Sequence, residues 1–109
     1  MSSNSPDDLV PSAEQTGQTL RATIRGEIDL HSSPQLRARL LELFTRGQPD
    51  RIELNLAEVP YMDSSAIAVL VELLQKIRKR NGQIVLTQLQ PRVKGLLEIA
   101  RLNTIFTIE

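Results

Sequence analysis

At 109 residues the chain has room for one domain and one modest core, and its 40% apolar and 24% charged residues suit an ordinary globular fold. Thirteen basic residues balance thirteen acidic ones, so there is no overall pull toward nucleic acid or an acidic membrane surface. The absence of cysteine excludes disulfides, thiolate nucleophiles and cysteine-ligated metal, and three aromatic residues (Phe44, Tyr61 and Phe106) make no platform for stacking bases.

Residues 1–8 are rich in Ser, Asn, Asp and Pro and are expected to form a disordered tail, leaving 9–109 for the folded domain. Met1 to Gln18 lacks the basic-then-apolar order of a secretory signal, and no stretch approaches the ~20 apolar residues of a membrane span. A cytoplasmic location without membrane insertion is therefore expected. Leu9 to Ala13 reads as a short edge strand, with Pro11 confining it to an edge. After a turn at Gly17 and Gln18, Leu20, Ala22 and Ile24 alternate with Arg21, Thr23 and Arg25 as a strand that Gly26 ends.

Ser32 or Ser33 can cap the first helix, Pro34 fits its first turn, and Ser32 with Gln35 has capping-box spacing. Leu36, Leu40, Leu43 and Phe44 recur at helical spacing, and Gly47 supplies a left-handed stop. Ile52, Leu54 and Leu56 form a strand with one apolar face. A second helix is expected from Ser64 to about Arg80, stopped by Asn81-Gly82, and Ile84 to Leu86 form a buried strand. Pro91 opens a third helix with Val93, Leu96, Leu97 and Ala100 inward; Asn103 can take its left-handed cap, and Ile105 to Ile108 make a last strand.

This alternation defines an α/β class: a single domain with a mixed, mostly parallel sheet of four to five strands and three main helices packed largely on one face. The second helix departs from an ordinary surface helix. Ala66 to Val71 are apolar all around its axis, so this stretch is either buried on every side or presents small apolar residues to a partner. Before it stands Tyr61-Met62-Asp63-Ser64-Ser65, in which Asp63 or Ser64 can cap the helix. A serine here is also well placed for a phosphate, which the free amides and the positive end of the dipole favour.

Asp63-Ser64-Ser65 after Asn55-Leu56 and Tyr61-Met62 resembles the signature of the STAS family, named from sulfate transporters and anti-sigma factor antagonists. Gly26-Glu27-Ile28-Asp29 is similar to that family's Gly-Glu-Leu-Asp segment. The resemblance runs from about Leu20 to Ile108. It implies a stand-alone bacterial anti-sigma factor antagonist, with Ser64, or second to it Ser65, as the serine phosphorylated by a cognate anti-sigma factor that is itself a serine kinase. A metal-dependent serine phosphatase would reset it. The partner surface on this pattern comprises Asp29, His31, Ser32, Tyr61, Met62, Asp63, Ser64, Ser65, Ala66, Ile67 and Ala68. Where the family usually has glycines this chain has Ala66 and Ala68, which bears on the choice of partner.

Two other readings stand beside this one. Relatives in the family serve as constitutive subunits of lipid-transport assemblies or other complexes. An enzyme is the third reading, but no P-loop, dinucleotide fingerprint or metal-ligand spacing appears, so neither cofactor nor metal is expected. Asp63 and Ser64 are adjacent and cannot form a relay with a base between them. The lone histidine, His31, reads as solvated or capping, and Asp29 as a turn residue satisfying nearby amides. The loop from Asp29 to Ser32 is expected to lie beside Ser64. The basic cluster of Lys76, Arg78, Lys79 and Arg80 reads as a solvated helix end rather than a nucleic-acid site.

Overall fold

A computed structural model of the chain describes residues 9–109, so the proposed tail at 1–8 lies outside the described residues. The elements run β1 (Ser12–Thr16), β2 (Thr19–Arg25), α1 (Ser33–Gly47), β3 (Arg51–Glu58), α2 (Ser64–Arg78), β4 (Gln83–Thr87), α3 (Pro91–Ile99) and β5 (Thr107–Ile108). All five strands join one sheet in chain order. β1 is antiparallel to β2 and the other pairs are parallel. Each parallel step needs a crossover of fixed hand, and three successive steps in one direction stack α1, α2 and α3 on one face.

The alternation of the strands follows from that one-sided cover. Leu20, Ala22 and Ile24 of β2 and Ile52, Leu54 and Leu56 of β3 are buried against Leu36 and Leu40 of α1, Ala66, Leu70 and Ile77 of α2, and Val93 and Leu97 of α3. Their neighbours on the strands face the open side, where Arg21 donates to Glu53 at 3.0 Å and Arg51 donates to its other oxygen at 2.8 Å. The Arg51 hydrogen bond is the main reason the Glu53 carboxyl sits below its ordinary range. β4 is apolar on both faces: Val85 pairs in register with Glu53 on the open side and is still fully buried.

Several element ends differ from the sequence reading. The first strand is Ser12–Thr16 rather than Leu9 to Ala13, because Leu9 and Val10 are buried in the core and Pro11, which has no amide to donate, precedes the pairing. The left-handed residue after α1 is Gln48, with φ 44°, and not Gly47. Gly47 instead leaves room for the end of the Gln15 side chain, whose amide donates to the Gly47 carbonyl at 2.8 Å and would have to shift if a Cβ were added.

α2 stops at Arg78, and Asn81 takes the left-handed turn at φ 60°. Arg80 then donates to the carbonyls of Gln48 (2.6 Å) and Pro49 (3.2 Å), and Arg78 donates to that of Ile105 (3.1 Å). Those two arginines of the basic cluster therefore brace neighbouring loops, while Lys76 and Lys79 are exposed. After α3 the left-handed residue is Arg101 rather than Asn103, and Ala100 is exposed rather than inward. β5 shrinks to two residues because the Ile105 and Phe106 amides are taken by the Leu102 carbonyl in a turn.

Candidate functional site

The site lies at the end of the sheet where β2 and β3 hand the chain to α1 and α2. Their pairing continues past both strand ends: the Gly26 amide donates to the Glu58 carbonyl at 2.9 Å, Ile28 to Tyr61 at 3.0 Å, and Asp63 to Ile28 at 3.1 Å. The Ile28–Met62 bridge is parallel, like the strands it prolongs. Two loops from distant parts of the chain are thereby fastened side by side.

Each loop turns into its helix through an aspartate. Asp29 Oδ1 accepts from the amides of His31 (2.9 Å) and Ser32 (3.1 Å), and its carbonyl accepts from the Ser33 amide at 2.8 Å. Asp29 therefore closes the turn before α1 by satisfying nearby amides, and the expected side-chain cap at Ser32 is not made. Ser32 has a helical backbone and makes no side-chain cap, and its hydroxyl accepts instead from the Asp29 amide at 2.9 Å. The capping box is not formed, and Gln35 Oε1 is buried with no hydrogen-bond partner. The Ser32 amide, before all other influences, holds the Asp29 carboxyl below the ordinary aspartate range.

Asp63 caps α2 with extended backbone, and its Oδ1 accepts from the Ser65 amide at 2.9 Å and from the Ser65 hydroxyl. The Ser65 hydroxyl is the largest influence lowering the Asp63 carboxyl below its ordinary value, while the charge of Asp29 works in the opposite direction. That interaction places the two carboxylates within electrostatic reach.

The adjacent serines are in different situations. Ser65 is half-buried and its hydroxyl is committed to the cap. Ser64 is exposed, opens α2, and has no hydroxyl partner among the described residues. One turn on, Ala68 is exposed on the same side of the helix, flanked by half-buried Ile67 and Val71. Ala66, Val69 and Leu70 point into the core. The apolar start of α2 thus has an inner face and a narrow outward ridge. The Ala66 methyl, wholly buried, meets the domain's own interior, whereas that of Ala68 faces out.

Of the residues singled out in the sequence, His31, Ser64 and Ala68 are exposed, and Asp29, Ser32, Tyr61, Asp63, Ser65 and Ile67 are half-buried. Ala66 is wholly buried and offers no area for contact, while Met62, though buried, lines a recess beside Tyr61. Sequence reasoning misses Leu30 and Ile99, the two large hydrophobic side chains that are exposed among the described residues, at 72% and 84%. Leu30 sits in the Asp29 loop, and Ile99 lines a recess with Tyr61 and Met62.

Among the described residues, a mixed five-stranded sheet covered by three helices, with an exposed serine opening the second, defines a small α/β domain of a recognisable class. The chain belongs to the STAS domain family, which matches residues 10–109. It is 35% identical over 95 residues to the anti-sigma-B factor antagonist of Bacillus subtilis, covering 87% of this chain and 85% of that protein. Its fold is similar to the anti-sigma factor antagonist SpoIIAA in its unphosphorylated form, with a TM-score of 0.78 at 22% identity over 90% of this chain and 86% of that one. The phosphorylated form of the Bacillus cell fate determinant SpoIIAA is also similar, with a TM-score of 0.70 at 21% identity over 90% of this chain and 89% of that one.

Proposed function

We propose that this chain is an anti-sigma factor antagonist of the cytoplasm that works by binding rather than by catalysis. Unmodified, it occupies a cognate anti-sigma factor and so frees a sigma factor; the anti-sigma factor, a serine kinase, phosphorylates Ser64 and is released. A metal-dependent serine phosphatase restores the binding form. The observation that carries this reading is the exposed, uncommitted hydroxyl of Ser64 on the ridge it shares with Ala68, next to a Ser65 hydroxyl spent on the cap. The antagonist relatives favour it over a structural subunit of a transport assembly.

The chemistry of release is electrostatic. A phosphate at Ser64 adds ~1.5–2 negative charges at a helix N-terminus, where the dipole and free amides accommodate it, so the domain stays folded. In a closed interface with Ile67 and Ala68 the same group would be desolvated without a partner, next to the carboxylates of Asp63 and Asp29. The cost is several kcal/mol, and each ~1.4 kcal/mol is a tenfold loss of affinity.

The test is affinity purification and titration with the protein and its Ser64→Ala, Ser64→Glu and Ser65→Ala variants, in the organism's own extract and then with the isolated partner. Ser64→Ala should hold the anti-sigma factor and resist phosphorylation, and Ser64→Glu should lose it. Undiminished binding by Ser64→Glu would refute the proposal.

A further inference from the structure

Between the loop that leads into α2 and the outward side of α3 lies a recess of about 280 Å³, lined by Tyr61, Met62, Arg92, Gly95, Leu96 and Ile99. Its walls are apolar except for Arg92, whose guanidinium lies 5.3 Å from the centre of the Tyr61 ring. Gly95 keeps the recess open. It sits in the middle of the nine-residue α3, where a glycine weakens a helix relative to alanine. Its φ is not positive, and a Cβ added there would meet no atom within 4 Å. Ile99, one turn further, leaves its side chain 84% exposed. Open space at Gly95 and an uncovered Ile99 leave room for an outside group to enter between them.

Tyr61 and Met62 immediately precede Asp63 and Ser64, so the recess opens on the loop that leads into the Ser64 helix. The single charged group lining it is a cation. We infer that this recess receives an apolar side chain of the anti-sigma factor, and that Arg92 meets a carboxylate beside that side chain; the inference rests on the partner-binding reading above. The recess would set the position of the partner on one side of Ser64, with the partner's path to the other side crossing Ala68.

The experiment measures the affinity of Gly95→Leu, Arg92→Glu, Ser64→Ala and Ser64→Glu proteins for the anti-sigma factor recovered with the unmodified chain, with thermal melting and sedimentation of each variant. In Gly95→Leu the new side chain extends into open space and fills the recess, so the fold should survive. Gly95→Leu and Arg92→Glu are each expected to weaken binding by about ten-fold or more relative to the parent. Arg92→Glu keeps the test decisive if Gly95→Leu melts early. Parental affinity in Gly95→Leu and Arg92→Glu alongside loss in Ser64→Glu would overturn the recess alone. Parental affinity in Ser64→Glu would overturn the partner reading and the recess with it. A dimer of this chain that Gly95→Leu dissociates, with partner affinity intact, would assign the recess to a second copy and also overturn the inference.

Discussion

The amide of Asp63 donates to the carbonyl of Ile28 at 3.1 Å, and this bond fixes the loop that starts α2 to the loop that leads into α1. The return bond, from the Ile28 amide to the Tyr61 carbonyl at 3.0 Å, closes a parallel bridge beyond the ends of β2 and β3. Asp29, which closes the turn before α1, and Asp63, which caps α2, come within electrostatic reach of each other as a consequence. The extension of the sheet thereby brings two carboxylates together where the chain enters α2.

The two serines should separate cleanly in stability. Ser65→Ala removes a hydroxyl that donates to the Asp63 carboxylate, and should cost about 0.5–1.5 kcal/mol in urea unfolding. Ser64→Ala removes an exposed hydroxyl with no partner among the described residues, and should stay within about 0.5 kcal/mol of the parent. Equal losses in both variants would contradict the assignment of the cap.

Acid should weaken the domain through the same caps. The Asp29 and Asp63 carboxyls lie below their ordinary values in the folded protein, chiefly through bonds from Ser32 and Ser65 respectively. A folded value below the unfolded one gives stability that is complete above the unfolded pKa of about 4 and is lost as the pH falls through the folded value. Asp63→Asn keeps a capping oxygen but not the charge, so its Tm should fall less than the parent's between about pH 5 and pH 2. A parallel fall in both proteins would show that Asp63 does not contribute to the acid limb.

Two glycines should respond in opposite directions to alanine. At Gly82 an added Cβ would collide with the Asp50 carbonyl oxygen, which belongs to the backbone and cannot swing away, so Gly82→Ala should cost about 1–3 kcal/mol. At Gly95 the added methyl meets open space and improves the helix, so Gly95→Ala should gain about 0.5–1 kcal/mol. Thermal or urea unfolding of the pair reads both signs.

Arg37 and Glu72 join α1 to α2 by two hydrogen bonds of 2.7 Å each. Both side chains are substantially exposed, so a double-mutant cycle should find a small favourable coupling that fades in about 1 M salt. A coupling that keeps its full size at high salt would show the pair to be shielded from solvent.

The fold is legible in the sequence because the core residues keep strict periods. Leu20, Ala22 and Ile24, and Ile52, Leu54 and Leu56, are buried at every second position, and the helices return to the core each turn. The turns are less legible because a glycine has two uses that look alike in sequence. Gly47 has the local signature of a left-handed stop, yet it makes room for Gln15, a contact with a residue more than thirty positions away. The start of α1 is hidden for a related reason: Ser32 has the residue type and spacing of a cap, yet its hydroxyl is taken up in the preceding turn by Asp29 and Glu27. Leu30 and Ile99 give no local signal, since a leucine in a loop and an isoleucine at a helix end look like core until their neighbours are placed.

The most direct test of the central claim is titration of the anti-sigma factor with unmodified chain and with chain carrying one phosphate, located to Ser64 by peptide mass spectrometry. The first should bind tightly and the second at least about a hundredfold more weakly, with both forms giving the same melting cooperativity. Equal affinity of the two forms, or a phosphate found at Ser65 in place of Ser64, would contradict it.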